Sequence, residues 1–407
     1  MKWPTKAIAE VASLTYGYTE SATEHAVGPR FLRITDIRSD GVQWSTVPYC
    51  TIDDCERERF SLRSGDIVFA RTGATTGKSY LIQSPPNAVF ASYLIRLRVV
   101  TPDLHPPFLA HFFRTAEYWR AIASGTTGSA QGGFNASKLG SLQVPLPPLV
   151  EQKRIAAILD AADALRAKRR ESLEQLDVLI QAAFLELFGD PVTNPKQWND
   201  SVVLGEVADI TSGLTKGRKL RSQSTREVPY LAVVNVQDRH LVLDPLKTIE
   251  ATNAEIDKYR LLKNDLLLTE GGDRDKLGRG SLWQDELPEC IHQNHIFRVR
   301  LHDERWTPVF LNWLVGSDRG KRYFLSQAKQ TTGIASINLS QLKRFPLLLP
   351  PLQLQQRFAS LVEAVESHKV RLKTQYSELD ALVASLQMRA FSGELRFGPA
   401  SRQQASA

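Results

Sequence analysis

Four stretches of this chain recur, in order, about two hundred residues downstream. Phe31–Ile37 reads FLRITDI and Tyr230–Val236 reads YLAVVNV; Ser64–Ala70 reads SGDIVFA and Lys263–Thr269 reads KNDLLLT, both at an offset of 199. Ser92–Arg98 (SYLIRLR) and Asn294–Arg300 (NHIFRVR) are 202 apart, and Leu146–Ile155 (LPPLVEQKRI) and Leu349–Phe358 (LPPLQLQQRF) are 203 apart. The drift is what small loop insertions produce. A period this long excludes a solenoid, whose repeats are 20–50 residues. It predicts two copies of one large module.

Each copy has the same internal order. Short apolar or alternating runs at Phe31–Ile37, Asp66–Ala70 and Tyr93–Val99 read as strands. Helical spacing follows at 108–122 and 310–327. Next come a Gly/Thr/Asn loop, a short apolar strand ending in Pro147-Pro148 or Pro350-Pro351, and a long helix. The long helices are expected over about 151–188 and 354–391. Their stripes are Ile155, Ile158, Leu159, Ala162, Leu165, Leu173, Leu176, Leu179, Ile180, Ala183 and Leu187, and Phe358, Leu361, Val362, Val365, Leu372, Tyr376, Leu379, Leu382, Val383 and Leu386. At 1.5 Å per residue each is roughly 55 Å long. Neither module can cover such a length, so the helices are expected to pack on each other as an antiparallel coiled-coil-like pair; the alternative is that each caps its own module. The fold class is therefore α/β (α+β), with two pseudo-repeated globular modules joined by two long antiparallel helices. The expected boundaries are 1–148, 149–190, 191–350 and 351–393, with a flexible tail at 394–407.

Composition narrows the partner. Lys and Arg total 51 against 44 Asp and Glu, a net charge of +7 and a pI near 9.2. That balance suits a polyanion, because cations that meet phosphates release counterions. No apolar run reaches the ~18 residues of a membrane span, and Met1-Lys2-Trp3-Pro4 does not start like a signal peptide. A cytoplasmic protein is expected. Cys50, Cys55 and Cys290 read as free thiols, and no Cys/His cluster has zinc spacing.

Taken in order, the doubled LPPL run, ArgThrGly…GlyLys at Arg71–Lys78, GlyGlyAspArgAsp…LeuGlyArgGly at Gly271–Gly280 and the ThrThrGly loops at Thr126 and Thr331 resemble the specificity subunits of Type I restriction-modification systems. The resemblance spans nearly the whole chain. It implies two target-recognition domains, each reading one half of a split, asymmetric site in double-stranded DNA, with the spacer helices setting the unread gap. It also implies methyltransferase subunits, two of them, docked on the helices, with restriction/translocase subunits joining for cleavage. Adenine-N6 methylation and ATP-dependent cleavage would then belong to those partners, and this chain would be non-catalytic, without cofactor or metal. The implied docking residues are Glu151, Gln152, Arg154, Gln355 and Arg357. Leu354 and Gln356 stand where the first copy has Glu151 and Lys153, so the two docking surfaces differ. Two other readings remain open: a protein–protein scaffold with only non-specific DNA binding, and a specificity subunit of a methyltransferase-only or phage-defence complex.

The candidate DNA-binding residues lie in Gly-rich basic loops. Arg71, Thr72 and Lys78 in the first copy, and Lys216, Arg218, Arg274, Lys276 and Arg279 in the second, can reach phosphates or guanine edges. Gln131 or Asn135 can read adenine bidentately; equally, Asn135 and Asn338 suit the N-cap of a short helix. The run Arg166, Lys168, Arg169, Arg170 is a solvated helix face or a surface lying along DNA.

Four apparent motifs are set aside. Gly73–Ser79 has three residues between its glycines where a P-loop needs four. Ser84-Pro85-Pro86-Asn87 lacks the aromatic that stacks a flipped base. The nuclease-like Pro102-Asp103…Glu151-Gln152-Lys153 pattern places its glutamate at a helix start. His292 and His295, read as one strand, point to opposite faces and cannot chelate together; Tyr93 is the counterpart of His295.

Overall fold

The computed structural model describes residues 3–38, 41–126, 134–218, 224–272, 277–331 and 334–395. Gln131, Arg274, Lys276 and the tail beyond residue 395 lie outside the described residues. Contacts divide the chain into two compact units, residues 1–170 with 374–407 and residues 171–373. Each unit thus takes half of each long helix.

The first unit is built on a four-stranded antiparallel sheet, ordered Ala12–Tyr16, Leu94–Val99, Ile67–Ala70, Ser79–Leu81. Alternation assigns its two faces to two cores. Ile67, Phe69, Ile95 and Leu97 join the helices Pro106–Phe112 and Ala116–Thr126. Val68 and Leu94 join Phe31, Leu32, Val89 and Phe90 of a parallel strand pair, Arg30–Leu32 with Ala88–Phe90. With both faces covered, Ile67–Ala70 is buried at all four positions and reads as a continuous apolar run.

The second unit repeats the plan. Its sheet runs Ala208–Ser212, Ile296–Leu301, Leu266–Thr269, Gly280–Leu282, again antiparallel throughout. Leu266, Leu268, Phe297 and Val299 face one core, Leu267 and Ile296 another. The parallel pair is Arg226–Leu231 with Ile291–His292, here extended by Lys247–Ala251.

One buried ion pair recurs in both sheets. Asp66, 1% exposed, accepts Arg98 Nε and Nη2 at 2.7 Å each and also the Arg63 amide. Asp265 does the same with Arg300 and the Leu262 amide. Two strand positions earlier, Arg96 caps the carbonyls of Arg59 and Ser61, and Arg298 those of Lys258 and Arg260. Burial, then repulsion from Arg98, lowers the Arg96 pKa to about 10, so it stays charged at neutral pH.

The long helices span Leu149–Phe188 and Leu352–Ser392. They run antiparallel in each unit. In the first, Arg166 Nε reaches Asp380 at 2.6 Å, while Arg170, further along, reaches the Tyr376 hydroxyl, which lies further back. In the second, Asp177 pairs Lys369 at 2.7 Å and Phe184 and Phe188 pack on Phe358. The expected stripe holds only in part: Leu165, Leu179 and Leu382 are 44%, 48% and 53% exposed. Most deep burial falls where the helices touch the modules, at Ile155, Ala156 and Leu159, at Ile180, Phe184 and Phe188, and at Phe358 and Ala390; Leu372, 3% exposed, is buried midway along its helix. Ion pairs link the helices between those parts. Arg166, expected on a solvated or DNA-facing surface, is therefore corrected to a bonded residue shared by Asp163 and Asp380.

Candidate nucleic-acid interface

In the first unit the loop after Ile67–Ala70 is held by its backbone. Gly77 N–H donates to the Ala70 carbonyl and Ala70 N–H to the Lys78 carbonyl, closing a tight turn around the short 3₁₀ segment Gly73–Thr75. Gly77 has φ +85° and lies against Ile122, where a Cβ would come within 3.0 Å of the side chain. The buried Tyr118 hydroxyl donates to the Gly77 carbonyl at 2.5 Å. Gly278 repeats the geometry at φ +72° against Phe324. These glycines shape the loop.

The turn brings several predicted residues together. Arg71 N–H donates to the Tyr93 carbonyl, and the Arg71 carbonyl accepts from Phe134 N–H, which draws the Asn135 segment alongside. The Arg71 guanidinium stands 4.9 Å from the Tyr16 ring centroid, and the Tyr16 hydroxyl accepts from Ala136 N–H. Thr72 lines a cleft of ≈490 Å3 with Tyr18, Phe31, Arg33 and Tyr93. Lys78 is exposed. Arg71, Thr72 and Asn135 thus share one neighbourhood, with Tyr16 and the 63% exposed Tyr93 as aromatic members absent from the predicted set. Their signal was weak because a single tyrosine at a strand end reads as ordinary core.

Asn135 also has the structural task. Its side chain accepts from Lys138 N–H and caps Ala136–Ser141, as Asn338 accepts from Gln341 N–H and caps Leu339–Lys343.

The second unit engages its cations differently. Arg218 donates Nε and Nη2 to Glu255 at 2.7 Å each and Nη2 to the Glu250 carbonyl. That hydrogen bond, chief among the causes, lowers the Glu255 pKa to about 2. Arg218 is corrected accordingly: its fork is closed on Glu255 and does not stand open for a base. Arg279 donates to Gln237 at 2.7 Å, and Lys216 lies 5.0 Å from the Tyr230 ring centroid. His292 lies on the strand Ile291–His292, fully buried, with Nδ1 on the Ile296 carbonyl; His295 lies outside that strand, exposed, with Nδ1 2.7 Å from Glu270 Oε2. Burial lowers the His292 pKa to about 3.

Among the docking residues, Gln152 and Gln355 are corrected from surface to interior: both are 0% exposed and spend their amides on their own module. Arg357 is exposed, and Glu151 and Arg154 are half-buried. Among the described residues no group of His, Cys, Asp and Glu is arranged to hold a metal ion, and no helix is long and apolar enough to cross a membrane.

Comparison with known proteins agrees with this layout. The family model for the Type I restriction modification DNA specificity domain matches twice, over residues 2–175 and 195–379. The chain is 23% identical to the Type I restriction enzyme StySPI specificity subunit of Salmonella potsdam, over 97% of this chain and 89% of that one. It is 24% identical to the EcoKI specificity subunit of Escherichia coli K12, over 83% and 76%. Among solved structures, the S subunit of a Type I restriction-modification system from M. genitalium superposes with a TM-score of 0.57 at 15% identity, covering 96% of each chain. A chain from a type I R-M system studied for complex assembly and conformational transition gives 0.57 at 19% identity, covering 97% and 98%. At these identities the structures speak to the fold alone.

Proposed function

The chain belongs to the family of Type I restriction-modification DNA specificity proteins and is a DNA sequence-recognition subunit; from that premise we propose that each module reads one half of a bipartite, asymmetric DNA site. One observation carries the proposal. The two sheets have the same strand order, while the loops at the same sheet positions carry different side chains: Arg71, Thr72 and Lys78 in one, Glu270, Gly271 and Arg279 in the other. Equal frames with unequal loops suit two unequal half-sites. Phosphate contacts would position each module, and a few side chains would read major-groove edges, each good bidentate contact contributing about 1–3 kcal/mol of discrimination. Joining two weak readers in one chain raises affinity through effective concentration.

The unread gap is proposed to be set by the long helices. Two methyltransferase subunits, and restriction/translocase subunits for cleavage, are the proposed partners, carrying the adenine methylation and ATP-dependent chemistry. Glu151, Arg154 and Arg357 are proposed to take part in docking.

The test is methylome sequencing of cells with and without this chain. A split motif present only with the chain is expected. Deleting four residues from one long helix is expected to change the gap and leave both half-sites intact. If no motif depends on the chain, or if DNA binding shows only salt dependence, sequence reading is wrong and the scaffold reading stands.

A further inference from the structure

Resting on the DNA-reading function above, we propose that Arg71 and Glu270 are equivalent base-reading positions of opposite hydrogen-bonding sense. Arg71 is the donor that selects guanine in one half-site. Glu270 is the acceptor that selects an exocyclic amino group, cytosine N4 foremost, in the other.

The equivalence is carried by backbone hydrogen bonds. Arg71 N–H donates to the Tyr93 carbonyl at 3.2 Å, and Glu270 N–H to the His295 carbonyl at 3.0 Å. The Arg71 carbonyl accepts from Phe134 N–H at 3.1 Å, and the Glu270 carbonyl from Ile337 N–H at 2.9 Å. Each residue directly follows an inner strand of its sheet, Ile67–Ala70 or Leu266–Thr269, and the segment that donates to its carbonyl, at Phe134 or Ile337, leads into an asparagine-capped helix. Two backbones held at the same two points from the same two neighbours present their side chains from the same place in the module.

At that place the charge is reversed. A guanidinium has only donors and fits the O6/N7 acceptor pair of guanine; an ionised carboxylate has only acceptors and fits an amino group. Both side chains are partly held and partly open. Arg71 spends one N–H on the Ser92 carbonyl at 3.4 Å and leans on the Tyr16 ring, which fixes the plane of its fork. Glu270 binds His295 Nδ1 through Oε2 at 2.7 Å, so Nδ1 carries the proton, and Oε1 has no hydrogen-bond partner among the described residues. Glu270 remains 32% exposed and His295 55%. A carboxylate on the surface of a DNA-binding module repels phosphates, so its presence there serves base choice rather than backbone affinity.

The experiment is selection of bound sequences from a randomised DNA pool by the full chain, co-purified with its methyltransferase subunit, as wild type, Glu270→Gln and Arg71→Gln. Thermal melts establish that each variant is folded. Wild type is expected to select a bipartite motif. Glu270→Gln should lower preference at one base pair of one half-site by about tenfold or more, leaving the other half-site unchanged. Arg71→Gln should do the same at one base pair of the opposite half-site. If Glu270→Gln does not fold, Glu270→Asp carries the test, because shortening the side chain by one methylene withdraws the carboxylate from the base. A wild-type motif that survives at every position in the variants, or affinity lost uniformly without change of motif, overturns the pairing while leaving DNA reading intact. Absence of any motif from the wild type overturns both.

Discussion

Gln152 and Gln355, in different halves of the chain, close the same three hydrogen bonds. Gln152 Oε1 accepts from His105 N–H, and its amide donates to the carbonyls of Asp103 and Pro147. Gln355 Oε1 accepts from Thr307 N–H, and its amide donates to those of Arg305 and Pro350. An amide is suited to this, because it offers both an acceptor and two donors. Each glutamine ties the first turn of a long helix both to the Pro-Pro segment before it and to the start of the module's own helix.

Replacing either glutamine with leucine leaves one amide and two carbonyls without their partner. An unsatisfied buried polar group costs about 1–3 kcal/mol, and three sharing one site come to roughly 3 kcal/mol or more. Denaturant unfolding is expected to lose that much for Gln152→Leu and for Gln355→Leu. A loss below 0.5 kcal/mol in either would show that the amide is a surface group, as the sequence reading had it.

The buried carboxylates in the sheets also carry stability. Asp66→Ala or Asp265→Ala strands an arginine, Arg98 or Arg300, beside an apolar core. Breaking a fully buried pair by removing one partner costs about 3–5 kcal/mol; with Arg98 24% and Arg300 32% exposed, the loss is expected at or below the lower end of that range. Removing Asp265 and Arg300 together should cost less than removing Asp265 alone, and a double-mutant cycle reads the difference.

Asn135 separates two roles in one side chain. As an N-cap, Asn135→Asp keeps its function and Asn135→Ala loses about 1 kcal/mol. A base-reading role predicts a changed motif in both variants. An intact motif in both variants, with stability lost only in Asn135→Ala, assigns it to structure only.

His292 gives the protein an acid limb. Its pKa is about 3 when folded against 6.5 for the free side chain, because burial disfavours the imidazolium. Below pH 6.5 the unfolded chain binds a proton that the folded one does not. Stability is therefore full above 6.5 and falls with pH by about 1.4 kcal/mol per unit at most until the folded pKa is reached. His111, also lowered by burial, adds the same sign. Glu255 adds its own loss only from 4.5 downward, towards its folded value of about 2. Unfolding measured from pH 6.5 to 5 should show a shallower slope in His292→Phe than in the wild type; an unchanged slope would mean that His292 is solvated.

The site was legible where chemistry is local. ArgThrGly at Arg71–Gly73 announces a Gly-rich basic turn, and Asn135 and Asn338 announce caps. Glu270 carries no such signal, because an isolated acidic residue does not mark a phosphate-binding surface, although lining up the two copies sets Arg71 against it. Arg218 was misjudged for the opposite reason. A cation in a Gly-rich basic loop reads as available for DNA, whereas Glu255, distant in sequence, closes its fork. The resemblance implied Gln152 as a docking residue, and nothing near it in sequence marks the Asp103 carbonyl and His105 amide that take up its side chain.

The sequence by itself determined the doubling, the two-faced sheet strands and the two long helices. Each is written in periodicities of a few residues, 2 for strands and 3.6 for helices, or in direct self-similarity. Only the tertiary structure decided which polar side chains are spent internally. Gln152, Arg218 and His292 meet partners or burial supplied by residues 4 to 49 positions away, and a hydrogen bond across that distance leaves no mark in local pattern. The same holds for the helix stripe: heptad spacing marks which residues can be buried, and the surrounding module decides which of them are.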